Sequence, residues 1–159
     1  MNNTSSLTNS LSILLRSKNL TIATAESCTG GMLASYLTNI SGSSAFFDRG
    51  VITYSNQSKV QILGVKQETI NTFGAVSKEA AEEMAQGIKK MSCADIGISI
   101  TGIAGPTGDT SSKPIGLVFI GIAQKTTVIV KEFSFSGTRI QIKKEACRQA
   151  LRLVLNEIQ

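Results

Sequence analysis

The stretch Leu20-Thr21-Ile22-Ala23-Thr24-Ala25, running into Glu26-Ser27-Cys28-Thr29-Gly30-Gly31 and then Met32 to Leu37, decides the fold. Leu20 to Ala25 reads as a short buried strand, and Met32 to Ile40 as a helix ending in the turn Ser41-Gly42-Ser43. Between them lies a tight polar corner carrying Ser27 and two glycines. A strand-to-helix corner holds a serine hydroxyl out of the packed layers, where it can act as a nucleophile. It is equally an anion site, because the first amides of a helix lack internal partners and point outward.

Histidine is absent from all 159 residues, so a Ser-His-Asp triad is excluded. A nucleophilic Ser27 would need lysine, a carboxylate, tyrosine or the chain terminus as its base. Cys28 stands beside it as a weaker candidate, since a helix N-terminus lowers a thiol pKa. Cys28, Cys93 and Cys147 are odd in number and fit no zinc spacing, which suggests free thiols in a reducing, cytoplasmic setting. No metal and no cofactor are expected.

The strand-to-helix pattern continues outward from this corner. Leu7, Leu11, Leu14 and Leu15 recur at helical spacing across residues 4–18, behind a Ser/Thr/Asn-rich start expected to fray over residues 1–6. Phe46 to Tyr54 reads as a strand, and Asn56 as the cap of a short helix that carries Lys59, Ile62 and Leu63 and stops at Gly64. Glu68 to Phe73 adds a helical turn, and Ser77 caps a longer helix with Ala80, Ala81, Met84, Ala85, Ile88 and Met91 on one face. Ile96 to Ile100 is a strand. Gly116 to Ala123 and Thr127 to Phe135 read as an antiparallel pair joined at Gln124-Lys125-Thr126. Residues 138–158 close the chain with a helix whose apolar stripe holds Cys147, Ala150, Leu151, Val154, Leu155 and Ile158. Helices between buried strands, then a β-pair and a closing helix, predict an α/β protein: a three-layer α/β/α sandwich with a mixed β-sheet in a single domain over residues 1–159.

Composition narrows the function classes. Hydrophobic residues make up 42% of the chain, an ordinary globular share, and no apolar run approaches a membrane span. The polar, uncharged start lacks the basic region of a signal peptide. The net charge of +5 allows nucleic-acid binding, but only 5% of residues are aromatic, which supports a base-stacking platform poorly. A small anionic ligand suits the chain at least as well.

Three segments carry candidate chemistry. Tyr54 and Lys59 flank one corner at a strand end, where α/β sheets collect their sites. A lysine desolvated there can be a base, although by its sequence position alone Lys59 is more often a solvated first-turn lysine. Thr101-Gly102-Ile103-Ala104-Gly105-Pro106-Thr107-Gly108 is either a plain turn or a loop whose amides approach a ligand. Gly137-Thr138-Arg139 opens the last helix as either a solvated cap or a phosphate site.

Taken together, Ala25-Glu26-Ser27-Cys28-Thr29-Gly30-Gly31, Gly42-Ser43-Ser44, Gly50 to Asn56 with Lys59, and Gly74-Ala75-Val76-Ser77 resemble the C-terminal domain of the CinA family. So do Thr101-Gly102-Ile103-Ala104-Gly105-Pro106, Lys113-Pro114-Ile115-Gly116 and Phe135-Ser136-Gly137-Thr138-Arg139. The resemblance runs in order from about Leu7 to the C-terminus, and it is to the short form without a molybdopterin-binding-like domain. It implies a metal-free nicotinamide-nucleotide amidase that converts nicotinamide mononucleotide to nicotinate mononucleotide and ammonia. It further implies a serine-lysine mechanism assisted by tyrosine, which falls on Ser27, Lys59 and Tyr54. Beside these, the amides of Thr29, Gly30 and Gly31 at the helix start are the expected oxyanion donors, and the substrate phosphate is expected on Arg139 or on the loop with Gly102, Ala104 and Gly105. Two departures stand out: Thr138 where an acidic residue is common, and an unusual loop composition after Pro106. A homo-oligomer is expected. The rival expectation is a non-enzymatic nucleotide-binding or competence-related regulatory module.

Overall fold

Alternation along the first buried strand sets the layers. In the computed structural model, which describes residues 3–159, β1 (Ile22–Glu26) is buried along its whole length. Successive side chains of a strand point to opposite faces. Ile22 accordingly joins a cluster with Leu7, Leu11, Leu15, Leu33 and Leu37, while Ala23 and Ala25 join Leu63, Ile70, Met84 and Ile88.

The sheet has five strands in the order β2-β1-β3-β4-β5, where β2 is Phe47–Ile52, β3 Ile96–Gly102, β4 Leu117–Gln124 and β5 Thr127–Ser134. β1 pairs in parallel with β2 and β3, and β3–β4 and β4–β5 are antiparallel, so the sheet is mixed. Helices α1 (Thr4–Ser17), α2 (Met32–Thr38) and α6 (Arg139–Ile158) cover one face. Helices α3 (Asn56–Leu63), α4 (Gln67–Phe73) and α5 (Lys78–Ser92) cover the other. This is the three-layer α/β/α arrangement expected from the sequence.

Small residues let α5 approach the sheet closely. A Cβ on Gly97 would lie 2.4 Å from the Ala85 carbonyl oxygen, and one on Gly121 would lie 2.7 Å from that of Ala81. The Ser99 hydroxyl donates to the Ala81 carbonyl at 2.6 Å, which satisfies the buried polar group in this strip.

Local details depart from the sequence expectation at several ends. Thr4 to Ser6 lie in α1 rather than in a frayed segment, and Met1 and Asn2 fall outside the described residues. The cap of α3 is Ser55, whose side chain accepts from the Ser58 amide, and Asn56 is the first helical residue. The two residues have the same capping chemistry, so only the backbone path separates them. Ser77 caps α5 as expected, and Thr138 with Gln141 forms a capping box at α6. Met91, expected on the apolar face of α5, is exposed.

Candidate active site

The end of β1 sends two adjacent side chains in opposite directions. Glu26 follows the parity of Ile22 and turns toward α2, while Ser27 follows that of Ala25 and turns toward α3. The ladder continues past the strand. Ser27 donates its amide to the Ile100 carbonyl at 2.9 Å, and Thr53 donates to the Glu26 carbonyl at 2.9 Å. These bonds fix the first residues after β1 and β2 side by side.

Glu26 is 1% exposed, and its carboxylate accepts amides from the start of α2: Gly31 at 3.0 Å, Leu33 at 3.1 Å and Ala34 at 2.8 Å. A carboxylate here satisfies the orphan donors and complements the positive end of the helix. Gly31 makes the turn possible, with a left-handed φ of 94°. The consequence for the expected oxyanion donors is direct. The Gly31 amide is spent on Glu26, and the Gly30 amide on the Ser27 carbonyl at 3.0 Å. Among the described residues, the amides of Cys28 and Thr29 have no backbone acceptor, although the Cys28 amide faces its own thiol. Of the Thr29-Gly30-Gly31 set, Thr29 therefore remains available, and Cys28 joins it.

The α3 side is built differently. Lys59 is 1% exposed, and its Nζ lies 3.0 Å from Ser27 Oγ, 2.8 Å from the Thr53 carbonyl oxygen and 3.4 Å from that of Tyr54. No carboxylate accompanies it in the ion pairs of the described residues. Burial holds its pKa below the ordinary 10.5, with a small opposing contribution from the Cys28 thiol. Ser27 and Lys59, which are 32 residues apart in sequence, are thus brought together by the β2–α3 corner.

Cys28 lines the same cleft but does not match the reactive thiol considered from sequence. Burial pushes its pKa up to about 11, and the α2 terminus that would have lowered it is occupied by Glu26. Cys147 is likewise pushed up by burial.

Tyr54 differs most from its expected place. Its side chain is 61% exposed and its hydroxyl accepts from Arg139 Nη2 at 2.8 Å, while Ser27 and Lys59 bond each other without it. The other guanidinium nitrogen, Nη1, donates to the Gly105 carbonyl at 2.7 Å. Arg139 therefore spans the mouth of the cleft from the β3–β4 loop to the β2–α3 corner.

The cleft has a volume of about 410 Å³, with Ser27, Cys28 and Lys59 on one side and Tyr54, Arg139, Thr107 and Gly108 on others. Such a volume lies within the ~300–1,000 Å³ range of small-molecule sites. Gly102 and Ala104 line it. Gly102 also has a packing reason, since a Cβ there would lie 2.6 Å from Val118 Cγ2 and 2.7 Å from the Leu117 carbonyl oxygen. Gly105 contributes its carbonyl to Arg139 rather than an amide to the cleft. Thr101, not singled out from sequence, lines the cleft and ties β3 to the segment before α5 by donating to the Ala75 carbonyl at 2.7 Å. The Thr53 carbonyl was equally invisible, because a backbone acceptor has no side-chain signature.

Comparison with known proteins gives this arrangement its relatives. A profile described as the CinA C-terminal domain matches residues 4–158. A CinA-like protein of Endomicrobium trichonymphae is 51% identical over 146 residues, covering 92% of this chain and 34% of that protein. A CinA-like protein of Kosmotoga olearia is 53% identical over 141 residues, covering 89% and 34%. The chain thus spans about a third of the length of the curated relatives it matches. Among solved structures, the competence damage-inducible protein A of Klebsiella pneumoniae superposes with a TM-score of 0.95 at 35% identity, covering 98% of this chain and 96% of that one. The competence/damage inducible protein of Agrobacterium tumefaciens gives 0.93 at 40% identity, covering 96% and 95%. With the strand order, the Ser27 corner and the match over nearly its whole length in agreement, the chain belongs to the CinA C-terminal domain family.

Proposed function

We propose that this protein is an amidohydrolase that uses Ser27 as nucleophile and Lys59 as general base. Its proposed substrate is nicotinamide mononucleotide, released as nicotinate mononucleotide and ammonia. The observation that carries this reading is the buried Lys59 Nζ, 3.0 Å from Ser27 Oγ and free of any carboxylate partner among the described residues. A neutral amine has two N–H donors and one lone pair. With its donors on the Thr53 and Tyr54 carbonyls, the lone pair is left for the serine proton. A module that only binds nucleotides has no use for a lysine stripped of solvent against a hydroxyl, since burial penalises the charge that binding would need.

The steps follow from these contacts. Lys59 takes the Ser27 proton as Oγ attacks the carboxamide carbon, and the resulting oxyanion is met by the Cys28 and Thr29 amides. The Lys59 ammonium returns its proton to the departing nitrogen, which leaves as ammonia and gives an ester on Ser27. Water then attacks the ester, with Lys59 again taking the proton. Collapse expels the acid and restores the Ser27 hydroxyl. Arg139 at the mouth supplies planar donors for the phosphate.

The test is ammonia release from nicotinamide mononucleotide by the purified protein beside Ser27→Ala. Turnover by the wild type that Ser27→Ala abolishes is expected. Equal rates in both would exclude the serine, and no ammonia from either would exclude the amidase.

A further inference from the structure

Tyr54 and Arg139 hold each other in a way that the resting site does not need. The phenol is 61% exposed, and its one hydrogen bond among the described residues is the one it accepts from Arg139 Nη2 at 2.8 Å. Arg139 is the first residue of α6, anchored beneath by the Thr138–Gln141 capping box and laterally by its 2.7 Å bond to the Gly105 carbonyl. Its partners are thus two neutral oxygens, with no carboxylate on it among the described residues. A phosphate competes strongly for such a guanidinium, because it brings a formal negative charge and a bidentate pair of oxygens that two separate neutral acceptors lack.

The backbone of Tyr54 already touches the catalytic pair, with its carbonyl oxygen 3.4 Å from Lys59 Nζ. Tyr54 is thus tied to the dyad through its backbone and to the mouth of the cleft through its side chain. We infer that the Tyr54–Arg139 hydrogen bond is a phosphate-operated latch: a phosphate monoester bound by Arg139 releases Tyr54, which then closes over Ser27 and Lys59. This rests on the amidase reading and adds to it a reason why a phosphorylated substrate is preferred in turnover as well as in binding. A ligand that engages only Arg139 contributes binding energy equally to ground and transition states, whereas one that also releases Tyr54 raises kcat.

The experiment compares nicotinamide mononucleotide with nicotinamide riboside, the same amide without the phosphate, and adds inorganic phosphite as a separate piece. For the wild type, phosphite is expected to raise kcat on the riboside several-fold. In Tyr54→Phe that stimulation should vanish. Arg139→Met should raise KM for the mononucleotide, respond to no phosphite, and raise kcat on the riboside above the wild-type value, because Tyr54 is already unlatched. A readout independent of turnover is the ring NMR signal of Tyr54, one of only 2 tyrosines in the chain. It should shift on phosphite addition in the wild type and stay fixed in Arg139→Met.

Ammonia from the mononucleotide with no phosphite effect on kcat or on the Tyr54 ring overturns the latch and leaves the amidase standing. A ring shift with no ammonia from either compound overturns the amidase reading, and with it the catalytic role of the latch. An Arg139→Met enzyme that loses kcat on the riboside also overturns it.

Discussion

Glu26 and Lys59 are two charged residues at the end of one sheet, each 1% exposed, and they are solved in opposite ways. Glu26 meets three amides of α2 and has no further work to do. Lys59 meets two carbonyls and a serine hydroxyl, a set that suits the neutral amine. Both corners grow from the same alternation of side chains at the end of β1. What differs is the neighbour: helix amides, which stabilise a charge, or a nucleophile, which profits from losing one. A buried charge with a complete set of complementary dipoles is architecture. One whose burial opposes its own charge is a candidate for chemistry.

The largest expected effect falls on the α3 corner. Lys59→Met, which keeps an apolar stem, should lower kcat by about 10²–10⁴-fold, the usual worth of a general base, while the folded state persists. Ser27→Ala should remove turnover as fully, with a stability change of about 1 kcal/mol or less for one lost hydrogen bond. Thermal unfolding beside the rate assay separates the two quantities. Substantial activity in Lys59→Met would erase the contrast between the corners.

Glu26 should answer in the other currency. Glu26→Ala leaves α2 amides without an acceptor, at about 1–3 kcal/mol for a buried donor left unsatisfied. The midpoint of denaturant unfolding should fall accordingly, while the folded fraction keeps most of its turnover. Glu26→Gln, which retains one acceptor oxygen, should lie between. A Glu26→Ala protein with wild-type stability would mean that the cap contributes nothing.

A subtler effect concerns pH and stability. The Lys59 pKa is lower in the folded chain than unfolded, so between those two values the native state binds fewer protons. Stability should therefore rise with pH across that window, and below it the cost of burying the charge is complete. Lys59→Met should gain most over the wild type at the acid end. Equal pH dependence in the two proteins would show that Lys59 is not depressed.

The smallest expected effect is at Thr53, beside the same lysine. Its hydroxyl is buried without a partner among the described residues, whereas its carbonyl holds Lys59. Thr53→Val keeps the shape and the carbonyl, so stability should change by no more than about 0.5 kcal/mol. A larger loss would reveal a hydrogen bond to solvent or ligand at that hydroxyl.

Much of this was legible in the chain. The layered α/β sandwich followed from apolar periodicity, because a strand buried on both faces and helices with one apolar stripe leave few other packings. Ser27 was visible as a corner residue, and the lack of histidine turned attention to lysine. The pairing with Lys59 depended on the family resemblance, since spacing of 32 residues says nothing about contact. The roles of Gly30 and Gly31 were misread for a physical reason. A helix N-terminus looks open to ligands in sequence, but Glu26 fills it from within. Tyr54 was expected at the dyad, yet its hydroxyl is drawn outward by a guanidinium 85 residues away in the chain. Backbone acceptors such as the Thr53 carbonyl leave no trace in residue identity at all.

The central claim is that Lys59 is neutral enough to take the Ser27 proton, and its own titration tests that most directly. Nζ or Cε NMR of selectively labelled lysine, assigned through Lys59→Met, gives its pKa in the folded protein beside the pH–rate profile on nicotinamide mononucleotide. The account predicts a Lys59 pKa below 10.5 that coincides with the pH at which activity rises. A Lys59 that titrates at or above 10.5, while activity rises at a lower pH, would contradict it.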